Sequence, residues 1–146
     1  MERPVSIVKF ERCYLGALFV GLINLLISWN KIQAMPAVRQ AAALIGEWYL
    51  PVTTVLGFVF PVVIWYFVAR RSSLVAKWIV TIVFCISVLG LLFNLLMKTF
   101  VSPPSAVLSI FAAVLNGIAI VMLFRPDAKI WFGEGLDEDD LETPLP

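Results

Sequence analysis

The chain of 146 residues contains no histidine, and only 14% of its residues are charged. Without an imidazole there is no haem held by histidine, most zinc sites are removed, and the commonest general base is missing. The few charges also avoid the cores of the long apolar runs described below. That excludes a carboxylate proton relay or an ion pair embedded in a membrane. Cysteine is scarce too, with two residues. Cys13 and Cys85 are expected at depths about 15 Å apart at the helical rise, which is too far for a disulfide without rearrangement. Gly133-x-Gly135 lacks the third glycine and the flanking strand of a dinucleotide loop. No basic patch of the kind that binds nucleic acid occurs. These absences predict no catalytic residue, no cofactor and no metal, and so a chain that is not an enzyme.

What the sequence does have is apolar residues, 61% of the total, far above the soluble norm. The stretch from Trp48 to Arg71 is the clearest. Its 22 residues from Trp48 to Ala69 carry no charge, and ~20 suffice for one helical crossing of a bilayer. Aromatic residues stand at both ends and two arginines follow, as at a membrane boundary. Three more runs resemble it: Glu11–Trp29, Val75–Met97 and Ala106–Phe124. A soluble chain this short has no outer layer left to bury four such helices. The prediction is an all-α integral membrane four-helix bundle, up-down-up-down, with helices about 11–29, 48–69, 75–97 and 106–124. A cleaved leader is not expected, because Ala34-Met35-Pro36 is a poor cleavage site.

Direction follows from charge. Eight of the 11 basic residues lie in the amino tail, the Arg70-Arg71 connection and the end of the fourth helix. By the positive-inside rule both termini are cytoplasmic. The amino tail, Met1–Arg12, is expected along the inner membrane surface, because Lys9 interrupts its apolar residues. In the outer connection, residues 30–47, Val38, Ala41, Ala42 and Ile45 fall on one side, away from Arg39 and Gln40. That suits a short amphipathic helix. Residues 133–146 hold six acids and no base, and predict a disordered cytoplasmic tail dispensable for folding.

Several positions inside the bundle carry specific expectations. Ala17 and Gly21, and Ser105, Ser109, Ala113 and Gly117, recur at four-residue spacing, which lets helix backbones approach closely. Gly117 is expected to be the tightest point. Pro61 removes a hydrogen bond to Gly57 and predicts a kink between them. Ser72 or Ser73, and Ser102, are expected helix caps, with Pro103 in a first turn. Three asparagines, Asn24, Asn94 and Asn116, lie at membrane depth. Interhelical hydrogen bonding is their simpler role, and a polar path or substrate site is the alternative. One shared, water-accessible cavity would distinguish the second from the first. At the cytoplasmic boundary gather Glu11, Arg12, Arg70, Arg71, Lys77, Arg125, Asp127 and Lys129. Setting topology and attracting anionic lipid suffice for most of these. Glu11 is also placed to pair with an arginine of the Arg70-Arg71 turn.

Phe10-Glu11-Arg12 with Tyr14-Leu15, Arg70-Arg71-Ser72 with Ala76-Lys77-Trp78-Ile79, and the segment Phe124–Phe132 together resemble a group of small four-transmembrane-helix inner-membrane proteins of bacteria. The resemblance covers most of residues 3–132 and implies a bacterial inner membrane and the same four spans. It brings no activity to carry over. The functional expectation is a non-enzymatic accessory or scaffold protein within a larger membrane assembly. Its partners would be the lipid bilayer and another membrane protein or a second copy, with no nucleic acid. A small oligomeric transporter or channel subunit is the alternative. A lipid- or quinone-linked enzyme would require Glu47 or Glu11 buried beside a pocket.

Overall fold

The computed structural model describes residues 4–100 and 102–134. Six helices follow in order: α1 Val5–Ala34, α2 Pro36–Ile45, α3 Tyr49–Arg71, α4 Leu74–Met97, α5 Pro103–Leu123 and α6 Pro126–Trp131. Helices α1, α3, α4 and α5 are long and apolar enough to cross a membrane, so the chain is an all-α bundle of the multi-pass membrane type. Helix α1 lies along α5 for much of its length. Helix α3 touches α1 and α4, α4 touches α5, and the backbones of α1 and α4 stay apart.

Helix α1 departs most from expectation. It begins at Val5, so residues 5–12 of the tail assigned to the membrane surface are part of it, and residues 1–3 lie outside the described residues. Ile7, Phe10, Tyr14 and Ala17 are buried, at the three- and four-residue spacing of one helix face. Lys9 and Arg12 are exposed on the other side. Lys9 therefore does not interrupt an apolar stripe; it sits opposite one.

The start of α1 is fastened by α6. Asp127 Oδ1 accepts from the Ser6 hydroxyl at 2.7 Å, and Oδ2 accepts from the Ser6 backbone N–H at 3.1 Å. That N–H is one of the first-turn donors with no partner inside its own helix. A carboxylate there also meets the positive end of the helix dipole. The hydrogen bond from the Ser6 hydroxyl, ahead of the backbone bonds, holds the Asp127 carboxyl below its ordinary range.

The apolar core sits at one end, where the basic residues are. It joins Ile7 and Phe10 of α1, Val68 of α3, Val80 of α4, Leu123 of α5 and Phe132 beyond α6. Phe10 and Tyr14 pack ring on ring at 5.3 Å, and the Tyr14 hydroxyl donates to the Pro61 carbonyl at 3.3 Å. The opposite half is built differently. Its buried residues, among those described, are the serines Ser28, Ser102 and Ser105. The bundle is tied at the basic end and loosely packed at the far end.

Local details follow the sequence in part. The Ser73 hydroxyl accepts from the Ala76 N–H at 3.3 Å and caps α4. Ser102 holds the cap position of α5 but makes no side-chain cap bond, while Pro103 opens the helix as expected. Helix α3 continues through Pro61 as one element.

Two outcomes test this architecture. Phe10→Ala should cost roughly 3 kcal/mol or more by leaving a cavity in the basic-end core. Phe60→Ala, at a ring 54% exposed, should shift the unfolding midpoint far less in the same detergent. For Asp127, whose folded pKa lies below the ordinary 3.8, the stabilisation is complete above 3.8 and is lost as pH falls through the lower folded value. Asp127→Asn should therefore lower the thermal midpoint at neutral pH. The gap to the wild type should close as the solution is acidified below that value.

Candidate functional site

Between α4 and the α1–α5 pair lies a cavity of about 450 Å³. Asn24 from α1, Asn94 from α4 and Asn116 from α5 all line it. The three amides are placed differently. The Asn24 amide nitrogen donates to Ser109 Oγ at 3.1 Å and, at 3.4 Å, to the Ser105 carbonyl, bonding α1 to α5. Its Oδ1 is buried with no hydrogen-bond partner. Asn94 is used locally: its amide nitrogen donates to the Gly90 carbonyl and its oxygen accepts from the Thr99 hydroxyl, both at 2.8 Å. These bonds close the end of α4, where Lys98 adopts a left-handed φ of 51°. Asn116 lines the cavity and makes no side-chain hydrogen bond among the described residues. One asparagine is thus the expected interhelical bond, one is a cap, and one faces open space.

A second void of about 290 Å³ flanks the first, reaching Ser28 and Phe58 and sharing Gly21, Asn24 and Ser105 with it. The Ser28 hydroxyl is buried and unpartnered. A Cβ added at Gly21 would meet nothing within 4 Å. Gly21 therefore borders open space rather than a tight helix crossing, whereas Ala17, one turn earlier, is buried. On α5 the small residues Ser105, Ser109 and Ala113 border the cavity. Gly117 lies just below it, and a Cβ there would stand 3.5 Å from the Phe84 ring. The stripe contacts α1 at Ser109 and α4 at Gly117, and the cavity lies between them.

Among the described residues the lining carries no charged side chain. Amides and hydroxyls supply donors and acceptors, and Phe84, Val88 and Leu91 supply apolar wall. Towards the basic end the α5 lining ends at Asn116, and Ala119 and Leu123 beyond it are fully buried. A site of this kind can hold an uncharged molecule with a hydrogen-bonding group on an apolar body. Glu47 is exposed on a separate groove beside Arg39, and Gly57 borders open space.

At the basic end, Glu11 and Arg70 form an ion pair at 3.7 Å, tying α1 to the α3–α4 turn as the sequence suggested. Arg12, Arg71, Arg125 and Lys129 are exposed. Lys77 is not. Its side chain is 1% exposed and pairs with Glu134. Its Nζ lies 4.6 Å from the Phe124 ring centre and 5.2 Å from that of Phe132. Glu134 is delivered by a glycine turn. Gly133 has a φ of 76°, and the Glu134 N–H returns to the Lys129 carbonyl at 3.0 Å. This is the six-to-one bond of a glycine-ended helix. Gly133 and Glu134 thus belong to the folded domain, which corrects the expected tail boundary. Residues 135–146 lie outside the described residues. The glycine directly after Trp131-Phe132 is a helix-end signal that sequence reading could have used. The Lys77 pairing had no such signal.

Gly117→Ile should destabilise the bundle by about 1–3 kcal/mol by forcing the Phe84 ring aside. Gly21→Ala, whose added methyl meets open space, should leave the unfolding midpoint in detergent almost unchanged.

No family model, curated protein or solved structure matches the chain, so the two sites are read from their own chemistry.

Proposed function

We propose that the protein is a non-enzymatic subunit of a bacterial inner membrane whose far half holds an uncharged amphiphilic molecule. In this reading it serves a larger membrane assembly as an accessory protein. One observation carries it: polar groups are left without partners around a cavity at membrane depth and the void that flanks it. Asn24 Oδ1 is buried and unpartnered beside the cavity that Asn116 also lines, and the buried, unpartnered Ser28 Oγ borders the flanking void. Hydrocarbon cannot satisfy such groups, and each one left unpaired costs several kcal/mol there. Water or the polar head of a ligand must fill that role. The volume, about 450 Å³, falls in the range of small-molecule sites, which are mostly apolar with a few placed polar groups. Because the lining is uncharged, a charged ligand would lose its hydration without compensation.

A second reading, an oligomeric transporter subunit, is favoured by the meeting of all three asparagines at one cavity. The core beyond Ala119 and Leu123 closes that cavity towards the basic end, so passage would need a second conformation or a route between copies.

The test is to purify the full chain in mild detergent, extract it, and identify bound amphiphiles by mass spectrometry. The proposal predicts one class of uncharged amphiphile retained at close to one per chain, and lost in the Asn24→Leu, Asn116→Leu double variant. Retention of only anionic lipids, or equal retention by the double variant, would contradict it.

A further inference from the structure

The basic end carries a second built site, independent of the far-half cavity. Lys77 follows the Ser73 cap of α4, and its ammonium is enclosed by the Phe124 and Phe132 rings at cation–π distance. An enclosed cation must keep an anion beside it, because removing the partner leaves an uncompensated buried charge. The anion now present is the carboxylate of Glu134, which donates nothing and accepts from Lys77 Nζ at 2.5 Å. That carboxylate is reached from one side by solvent. Its side chain is 25% exposed, and it follows the left-handed turn at Gly133.

Room adjoins the pair. A void of about 280 Å³ is lined by Lys77, Trp78, Phe124, Lys129 and Glu134. It therefore faces two cations and one carboxylate. Trp78 is 51% exposed and packs edge-on against Phe124 at 6.0 Å. A half-exposed tryptophan at the end of a spanning helix marks the headgroup level. A lysine pair at that level, around a space larger than its carboxylate needs, matches the phosphate of a lipid headgroup in charge and depth.

We propose that Lys77 and Lys129 form a binding site for the phosphate of an anionic lipid headgroup, with the Glu134 carboxylate as its intramolecular competitor. When Glu134 swings out about Gly133, the phosphate accepts from Lys77 and Lys129, and the enclosed ammonium stays compensated. When the lipid leaves, Glu134 returns. Glu134 is thereby docked or released according to the charge of the neighbouring leaflet.

The test uses the full chain, wild type and Glu134→Gln, in nanodiscs of phosphatidylglycerol or of phosphatidylcholine. In phosphatidylcholine, Glu134→Gln should unfold at a lower temperature than the wild type, and phosphatidylglycerol should restore it. Native mass spectrometry should show Glu134→Gln retaining phosphatidylglycerol about fivefold better than the wild type, the effect of roughly one lysine–lipid contact. Adding Lys77→Met to Glu134→Gln should abolish the preference between the two lipids. An equal loss of stability in both lipids, including failure to fold in either, would overturn the proposal. Equal retention by wild type and Glu134→Gln would overturn it too. Full rescue of Glu134→Gln in phosphatidylcholine by inorganic phosphate would assign the site to the free anion and overturn the lipid.

Discussion

Everything in this fold depends on the contact at the basic end, where the start of α1 meets the ends of α3 and α5, the start of α4, and α6. Within a bilayer, lipid tails are as apolar as leucine, so helices gain little from hiding apolar surface from one another. What holds them is close packing and polar bonds that lipid cannot supply. The basic end has both: Ile7, Phe10, Val68, Val80 and Leu123 in mutual contact, and around them three links of different chemistry. Asp127 binds the first turn of α1, Glu11 reaches Arg70, and Glu134 covers Lys77. Each link joins a helix end to another element, so together they tie the start of α1, the end of α3 and the start of α4 to one another and to α6.

The far half follows from that arrangement. With the helices fixed at one end, small residues on α1, α4 and α5 leave a space that no side chain fills. Where a neighbour is present, a small residue leaves room for about a methyl, as at Gly117, where an added Cβ would just reach the Phe84 ring. Where none is present, the same residue type widens a void, as Gly21 does. The amides and hydroxyls around that void are what turn a packing defect into a candidate binding site.

Much of the fold was legible in the sequence. The length of an uncharged run is set by bilayer thickness, so α3, α4 and α5 fall within a few residues of their predicted bounds. The Glu11–Arg70 pair was legible because two opposite charges were expected at one depth. The start of α1 was misjudged because Lys9 was weighed by its place in the chain and not by its face of the helix. The Ser6–Asp127 and Lys77–Glu134 links, 121 and 57 residues apart in sequence, were not legible, since nothing local announces a long-range partner. The cavity was not legible either. Sequence shows small residues and asparagines, but whether they enclose space depends on how far apart the helices stand.

The central claim is that the bundle is closed at the basic end and open to polar solvent in the far half. A cysteine scan along α5 tests it most directly. Ser109→Cys, Asn116→Cys, Ala119→Cys and Val121→Cys would each be placed in a chain lacking Cys13 and Cys85, purified in mild detergent and stripped of bound lipid. A small water-soluble thiol reagent should modify positions 109 and 116, which line the cavity. It should spare 119, which is fully buried, and 121, which is 62% exposed on the apolar outer face. Protection of 109 and 116 to the same degree as 121, or reaction at 119 as fast as at 116, would contradict the account.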